Sequence, residues 1–346
     1  AFFNPQEKAV SINSVASQEL TKYTKEDEES IWPSEDGYTV IDLPREWVED
    51  YRASRARGKG ESPSSIRDFL GCPLQWIVKR HVAVDVSEPP NIYAVSGSFT
   101  HRILELYYRE DPSVRSGQLL WDIFVTGWNE LNRRADQSMG VVDDSLLKSY
   151  EELLSNQSNQ DATRGRFYNM SKDALDGLYQ MEPFPQNIDV VDVERWSVLN
   201  WNGIRINGKI DRTVNYAPGE VVIEDYKTGK VKGEGDDTIY ADHLIAMGIY
   251  ALSHEQERQQ KVRGVRLLHI THKTAIDSEI TDEKRRQVAD VLNAITSDME
   301  YIKESGRIPY CPDAEAQCAY CPIRDMCPAW GHSEDDLLSI DPRFNS

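Results

Sequence analysis

Hydrophobic positions change period along the chain, and the change organises it. From Ser64 onward apolar residues recur at helical spacing. Ser65 and Asp68 stand at capping-box spacing around Ile66, ahead of Phe69 and Leu70, which predicts a helix start; Gly71-Cys72-Pro73 then interrupts the helix. Phe99, Ile103, Leu106 and Tyr107 predict a helix over about 97–110, and helical patterns recur at about 143–155 and 163–181. The period then shortens. Residues 188–199, 204–216 and 220–227 read as strands, with Asn202-Gly203 and Pro218-Gly219 as hairpin turns. A helix at about 238–256 and a strand at 262–271 follow. A long helix over about 281–304 carries Val288, Val291, Leu292, Ile295, Met299 and Ile302 on one stripe. The order is helix, three strands, helix, strand, helix, with no internal repeat, and the fold class is α/β.

Composition narrows the partners. With 346 residues and 39% hydrophobic content the chain can build a sizeable core, as one elaborated domain or two. Its 39 Lys and Arg against 58 Asp and Glu give a net charge of −19. Such a surface does not attract a phosphate backbone in bulk, so nucleic-acid binding would need a local basic groove or bridging metal ions. Residues 1–60 are the least readable; they hold the acidic run Lys25–Glu29. The basic stretch Arg52, Arg55, Arg57 and Lys59 reads either as a flexible arm or as a DNA-contacting loop. No apolar run is long enough for a membrane span, and the start has neither the basic nor the apolar region of a signal peptide. The five cysteines are Cys72, Cys311, Cys318, Cys321 and Cys327, four of them within 17 residues. An odd, clustered set points to a metal or cluster site in a reducing cytoplasmic setting rather than to disulfides.

The densest chemistry lies at Gly208-Lys209-Ile210-Asp211-Arg212 and Glu224-Asp225-Tyr226-Lys227-Thr228-Gly229. On a strand, alternate side chains share a face, so Asp225 and Lys227 point one way and Glu224 and Tyr226 the other. Asp211 sits on the preceding strand across the Pro-Gly turn. Two carboxylates and a lysine converging at a hairpin suit metal-assisted phosphodiester hydrolysis. Carboxylates hold Mg²⁺ or Mn²⁺, the ion acidifies a water, and the lysine offsets transition-state charge. A cross-strand surface salt bridge is the plain alternative. The run Gly203-Ile204-Arg205-Ile206-Asn207-Gly208-Lys209 matches a phosphate loop only partly, because Ile210 replaces Ser or Thr and the segment reads as strand. No ATPase motor is visible.

These residues resemble the signature of RecB-type nucleases of the PD-(D/E)xK superfamily. Three further motifs match in order. Ser64-Ser65-Ile66 through Cys72-Pro73 resembles the amino-terminal S-x-x…CP segment, and Gly97 to Glu105, with His101 between, resembles the G-x-x-x-H-x-x-x-E helix. Cys318-x2-Cys321-x5-Cys327 resembles the cysteine cluster of AddB-type and CRISPR-associated RecB-like exonucleases. The resemblance covers about 62–330 and implies a restriction-endonuclease-like core with a mixed central sheet flanked by helices, a helical insert and an iron–sulfur region. It implies His101, Asp211, Asp225 and the Tyr226 carbonyl as metal ligands and Lys227 as the catalytic lysine. Glu194 matches an acidic position that is either structural or part of the site, and Tyr250 and Arg212 are candidates for substrate positioning. One departure concerns the helix after the lysine strand. Tyr250 of its Q-x-x-x-Y pattern is present but Ala246 replaces the Gln, and His243 lies two turns before Tyr250.

The cysteines admit two sites. Cys311, Cys318, Cys321 and Cys327 would make a local four-thiolate zinc site; Cys72 with Cys318, Cys321 and Cys327 would hold a [4Fe–4S] cluster, as the resemblance implies. The expected organisation is an extension at 1–60, a nuclease core at 61–310 with an insert at about 111–185, a cysteine cluster at 311–330 packing back on Cys72, and a loose acidic tail at 331–346. The expected protein is a metal-dependent DNA exonuclease acting on single strands or ends, in recombination, repair, or phage or CRISPR DNA processing, with a helicase or recombination partner. The rivals are a DNA-end-binding adaptor of the same fold and a zinc-binding interaction module.

Overall fold

A computed structural model describes residues 39–82, 89–132, 140–229 and 237–310, together with 318, 321, 323–333, 336–337, 341 and 343; the side chains of 39, 237–242, 310 and 329 lie outside the description. The run Lys25–Glu29, Cys311 and Tyr320 lie outside the described residues.

The chain runs β1 (Thr39–Asp42), α1 (Arg45–Ala56), α2 (Pro63–Gly71), α3 (Pro73–Arg80), α4 (Ile92–Arg109), α5 (Gly117–Asn132), α6 (Asp144–Ser155) and α7 (Gln160–Met181). It continues through β2 (Val190–Trp201), β3 (Ile204–Ala217), β4 (Glu220–Lys227), α8 (Asp237–Arg258), β5 (Lys261–His269), β6 (Thr274–Glu279), α9 (Asp282–Ser305) and β7 (Arg307–Tyr310). The capping box of α2 sits three residues earlier than the sequence spacing suggests. Ser62 is the cap, accepting from the Ser65 N–H at 3.1 Å, while the Ser62 N–H donates to Ser65 Oγ at 2.8 Å. Pro63 follows at the first helical position, where its fixed φ suits the turn.

Five strands form a mixed sheet in the order β2-β3-β4-β5-β6. Only the β4–β5 pair is parallel, because α8 carries the chain across between them. The β2–β3 turn has both Asn202 (φ 44°) and Gly203 (φ 76°) in the left-handed region, as a two-residue hairpin requires. Helices cover both faces. Phe99, Ile103, Phe124 and Phe167 of α4, α5 and α7 form one core with Tyr226 and Leu268. On the other face Met247 and Ala251 of α8 pack on Ile210, Val221, Ile223 and Val265. A third core joins Trp47, Phe69, Trp76 and the α9 stripe residues Val291, Leu292 and Ile295. The structure is the mixed-sheet α/β fold expected of a restriction-endonuclease-like core.

Both chain ends depart from the sequence reading. Residues 39–56 are strand and helix rather than formless extension: β1 pairs antiparallel with β7, and Arg52 and Arg55 lie on α1. The acidic tail is anchored rather than loose. Asp341 is buried and accepts from Trp47 Nε1 at 2.9 Å, and Arg343 pairs with Asp50 at 2.8 Å. No helix among the described residues is long and apolar enough to cross a membrane.

Candidate active site

Three elements deliver the site. His101 comes from α4, Glu194 from the edge strand β2, and Asp211 from β3. Ligand atoms of the three lie within 4.8 Å of one another. His101 Nδ1 is 3.4 Å from both Glu194 Oε1 and Asp211 Oδ1, and its Nε2 is 3.3 Å from the Tyr226 carbonyl oxygen. Both ring nitrogens therefore face oxygen acceptors. Burial opposes a charge on this imidazole, yet Asp211 and Glu194 outweigh it and raise the His101 pKa well above its ordinary value. Burial pushes the Asp211 carboxyl up, His101 opposes it, and the charges of Asp225 and Glu194 add to the rise. The Tyr226 N–H donates to Asp211 Oδ2 at 2.8 Å, which fixes the carboxylate at the point where β3 and β4 meet.

Glu194 owes its place to the backbone. Its φ of 50° is left-handed, a conformation that costs a side-chain-bearing residue about 1–3 kcal/mol and that clusters at functional sites. Its Oε2 pairs with Lys209 Nζ at 2.7 Å, and its buried Oε1 faces His101 Nδ1 at 3.4 Å. Lys209 is a site residue that the sequence reading passed over. Its position two before Asp211 on one strand was the available signal.

Asp225 and Lys227 share a side of β4, as alternation requires, and pair at 2.5 Å. Asp225 stands outside the close three-residue group, which includes Glu194. On α8, burial and the Lys227 charge hold the His243 imidazole at about 4, neutral beside the lysine. Burial and the charges of Asp225, Asp211 and Glu194 keep the Tyr250 hydroxyl protonated, next to the Lys209 backbone. A cleft of about 680 Å³ opens over His101, Glu194, Lys209, Asp211 and Thr228.

Arg212 requires a correction, since the sequence placed it among the substrate-positioning candidates. It is completely buried, away from the cleft. Its Nε donates to Glu224 at 2.5 Å and its Nη1 to Glu182 at 2.9 Å, and its guanidinium lies 4.4 Å from the Tyr108 ring centre. Arg266 joins the same network through Glu224 at 3.2 Å and Asp277 at 2.5 Å. Arg212 is a structural residue.

At the cysteines, Cys72 ends α2 and begins α3. Cys72, Cys321 and Cys327 belong to or pack against one core cluster, and Gln75 hydrogen-bonds Cys321. The Cys321 N–H donates to the Cys318 carbonyl at 3.1 Å, closing the C-x2-C turn. Burial pushes the Cys321 thiol pKa up.

A family model of the PD-(D/E)XK nuclease superfamily matches residues 61–328, across all of these elements. The chain belongs to the PD-(D/E)XK nuclease superfamily. This nuclease fold is also similar to the crystal structure of a putative exonuclease from Eubacterium rectale, with a TM-score of 0.47 and 14% identity over 82% of this chain and 93% of that one. No curated protein matches the sequence.

Proposed function

We propose that the chain is a metal-dependent DNA exonuclease of RecB type, acting on single strands or DNA ends. The observation that carries this reading is the meeting of His101, Glu194 and Asp211 within 4.8 Å, with Lys227 and Asp225 on the neighbouring strand. One imidazole, two carboxylates and the Tyr226 carbonyl are a donor set suited to Mg²⁺ or Mn²⁺. Bound there, a divalent ion supplies charge neutralisation at the phosphoryl group and an acidified water. The Lys227 ammonium offsets charge on the phosphorus centre, and Asp225 holds that lysine in place. Tyr250, packed over Gly208 on the neighbouring strand, remains the candidate for substrate positioning. The water oxygen bonds to phosphorus, the ester P–O bond breaks, and the leaving oxygen takes a proton.

The core of this reading spans 61–310 with the helical insert at about 111–185. Cys72, Cys318, Cys321 and Cys327 hold a [4Fe–4S] cluster that ties the start of the core to its end. The packing of Cys72, Cys321 and Cys327 on one core supports it. Iron and acid-labile sulfide in the purified protein test this part; zinc alone would overturn it.

The test of function is Mn²⁺- or Mg²⁺-dependent cleavage of single-stranded DNA labelled at either end, beside Asp225→Ala and Lys227→Ala. Activity in the parent that collapses in both variants is expected, and the label released first gives the polarity. A folded, metal-loaded protein that cleaves no end would leave an end-binding adaptor of the same fold.

A further inference from the structure

The cleft has aromatic edges that the proposed hydrolysis does not use. Trp196, Phe184 and Tyr93 are the most exposed aromatic side chains among the described residues, at 67, 64 and 61%. A single exposed aromatic needs no explanation. One of these three lines the cleft, and a second neighbours two of its lining residues along the strands. Tyr93 lines it directly, on α4 eight residues before His101. With a helical rise of 1.5 Å per residue, that places it about 12 Å from the histidine along the axis. Gly97 lies midway on the same face, with Thr228 next to it.

Trp196 is outside that lining and reaches the cleft's neighbourhood through the sheet. It follows Glu194 by two residues on β2 and pairs across the strands with Lys209, whose ammonium reaches Glu194. Its neighbour Ser197 turns inward to Ser253 of α8, so strand alternation sends Trp196 to the opposite face, beside Lys209. The spacing of two strand residues puts its backbone about 7 Å from that of Glu194.

The Tyr93 ring is supported in place. The Arg166 guanidinium stacks on Tyr93 at 5.1 Å from the ring centre and donates to its hydroxyl at 2.5 Å. One ring face of Tyr93 is thereby taken by a cation, and the remaining face is available to a planar ligand. Trp196 sits on the edge strand, where no further strand covers it.

We infer that Tyr93 and Trp196 are stacking platforms for the nucleobases on either side of the cleaved phosphate, and that they make the site selective for unpaired strands. This rests on the nuclease reading of the cleft. A base stacked in a duplex has no free face to offer, whereas every unpaired base has one, so aromatic platforms select single strands without reading sequence. The same contacts answer the charge problem of a chain at −19: stacking adds affinity that the acidic surface does not oppose. Tyr93 and Trp196 are positioning residues; neither reaches the phosphorus.

The test compares two probes with identical phosphates, a fluorescein-labelled oligothymidine and the same strand made abasic throughout, with Ca²⁺ as the divalent ion. The parent should bind the base-bearing strand more tightly. Tyr93→Ala and Trp196→Ala should each weaken that binding by about 5- to 150-fold while leaving abasic binding unchanged. Tyr93→Phe and Trp196→Phe should restore it, which a loss of folding would not allow. Equal binding of both strands by the parent, no binding of either, or alanine variants that bind like the parent would overturn the inference. Cleavage with Mn²⁺ separates the two readings. A parent that prefers bases but cleaves nothing sinks the nuclease reading alone; a parent that cleaves and ignores bases sinks the stacking alone.

Discussion

Tyr250 packs so closely over Gly208 that a side chain at 208 has nowhere to go. A Cβ there would collide with the tyrosine ring and lie 3.1 Å from Pro63 Cδ. Gly208 opens the Gly-Lys-Ile-Asp run, so the glycine sets how close α8 comes to the strand that carries Asp211. Gly208→Ala should cost about 1–3 kcal/mol by overpacking. Tyr250→Ala in the same chain should recover most of that loss, since it removes the atom that clashes. A double-mutant cycle by denaturant unfolding checks the coupling, and strictly additive effects would contradict it.

Arg212 and Glu224 face each other across β3 and β4, with Glu182 on the guanidinium's second edge. Arg212→Ala takes the guanidinium from Glu182 and from the buried Glu224, which keeps Arg266 at 3.2 Å, and should cost about 3 kcal/mol. The measurement is the unfolding midpoint. A variant with parental stability and lost cleavage would restore the substrate-positioning role that its burial argues against.

The case of Arg212 shows what the sequence could carry and what it could not. Asp211, Asp225 and Lys227 were legible because Pro-Gly turn chemistry and strand alternation fix them locally. His101 was singled out only through the resemblance of Gly97 to Glu105 to the G-x-x-x-H-x-x-x-E helix. Arg212 looks like a solvent-facing neighbour of Asp211 until Glu182, 30 residues away, arrives to bury it. The resemblance left Glu194 either structural or part of the site, and no residue pattern announces the left-handed φ that places it. The β1–β7 pair joins strands of four residues at opposite ends of the chain, too short to show a period. The edge strand β6 has largely exposed side chains and no apolar face to betray it. Local rules found what local geometry decides; long-range burial and one strained backbone angle decided the rest.

Acid should weaken the fold through Glu61. This buried carboxylate gathers Arg80 at 2.9 Å, His81 at 3.2 Å and Ser65 at 2.7 Å, tying the α1–α2 connection to α3. Burial would raise its pKa, but the hydrogen bonds from His81 and Ser65 and the Arg80 charge prevail and hold it at about 2, below its usual 4.5. A depressed carboxyl stabilises fully above its unfolded value and loses that contribution as pH falls from 4.5 towards 2. The span corresponds to about 3 kcal/mol. Burial also lowers the His81 pKa, so charging it below 6.5 adds loss in the same direction. Unfolding free energies from about pH 7 down to about pH 3 should fall, and Glu61→Gln should flatten the steepest acid segment. A variant with the parental slope would remove Glu61 from the account.

Metal binding should show in stability before it shows in catalysis. The His101, Glu194 and Asp211 group exists in the folded chain and not in the unfolded one, so an ion held there stabilises the fold by mass action. At a free Mn²⁺ concentration about 100 times the dissociation constant the gain is about 2.7 kcal/mol. Asp211→Asn keeps the size of the side chain and removes its charge, and should abolish the Mn²⁺-induced rise in melting temperature. Glu194→Gln should reduce the rise, because that carboxylate is one of the three. Lys227→Ala should leave it intact, since the lysine carries no ligand role and its loss removes a positive charge from the neighbourhood. The three melting shifts together separate metal ligands from Lys227, the proposed catalytic lysine, without measuring cleavage. An undiminished shift in Asp211→Asn would place the ion elsewhere.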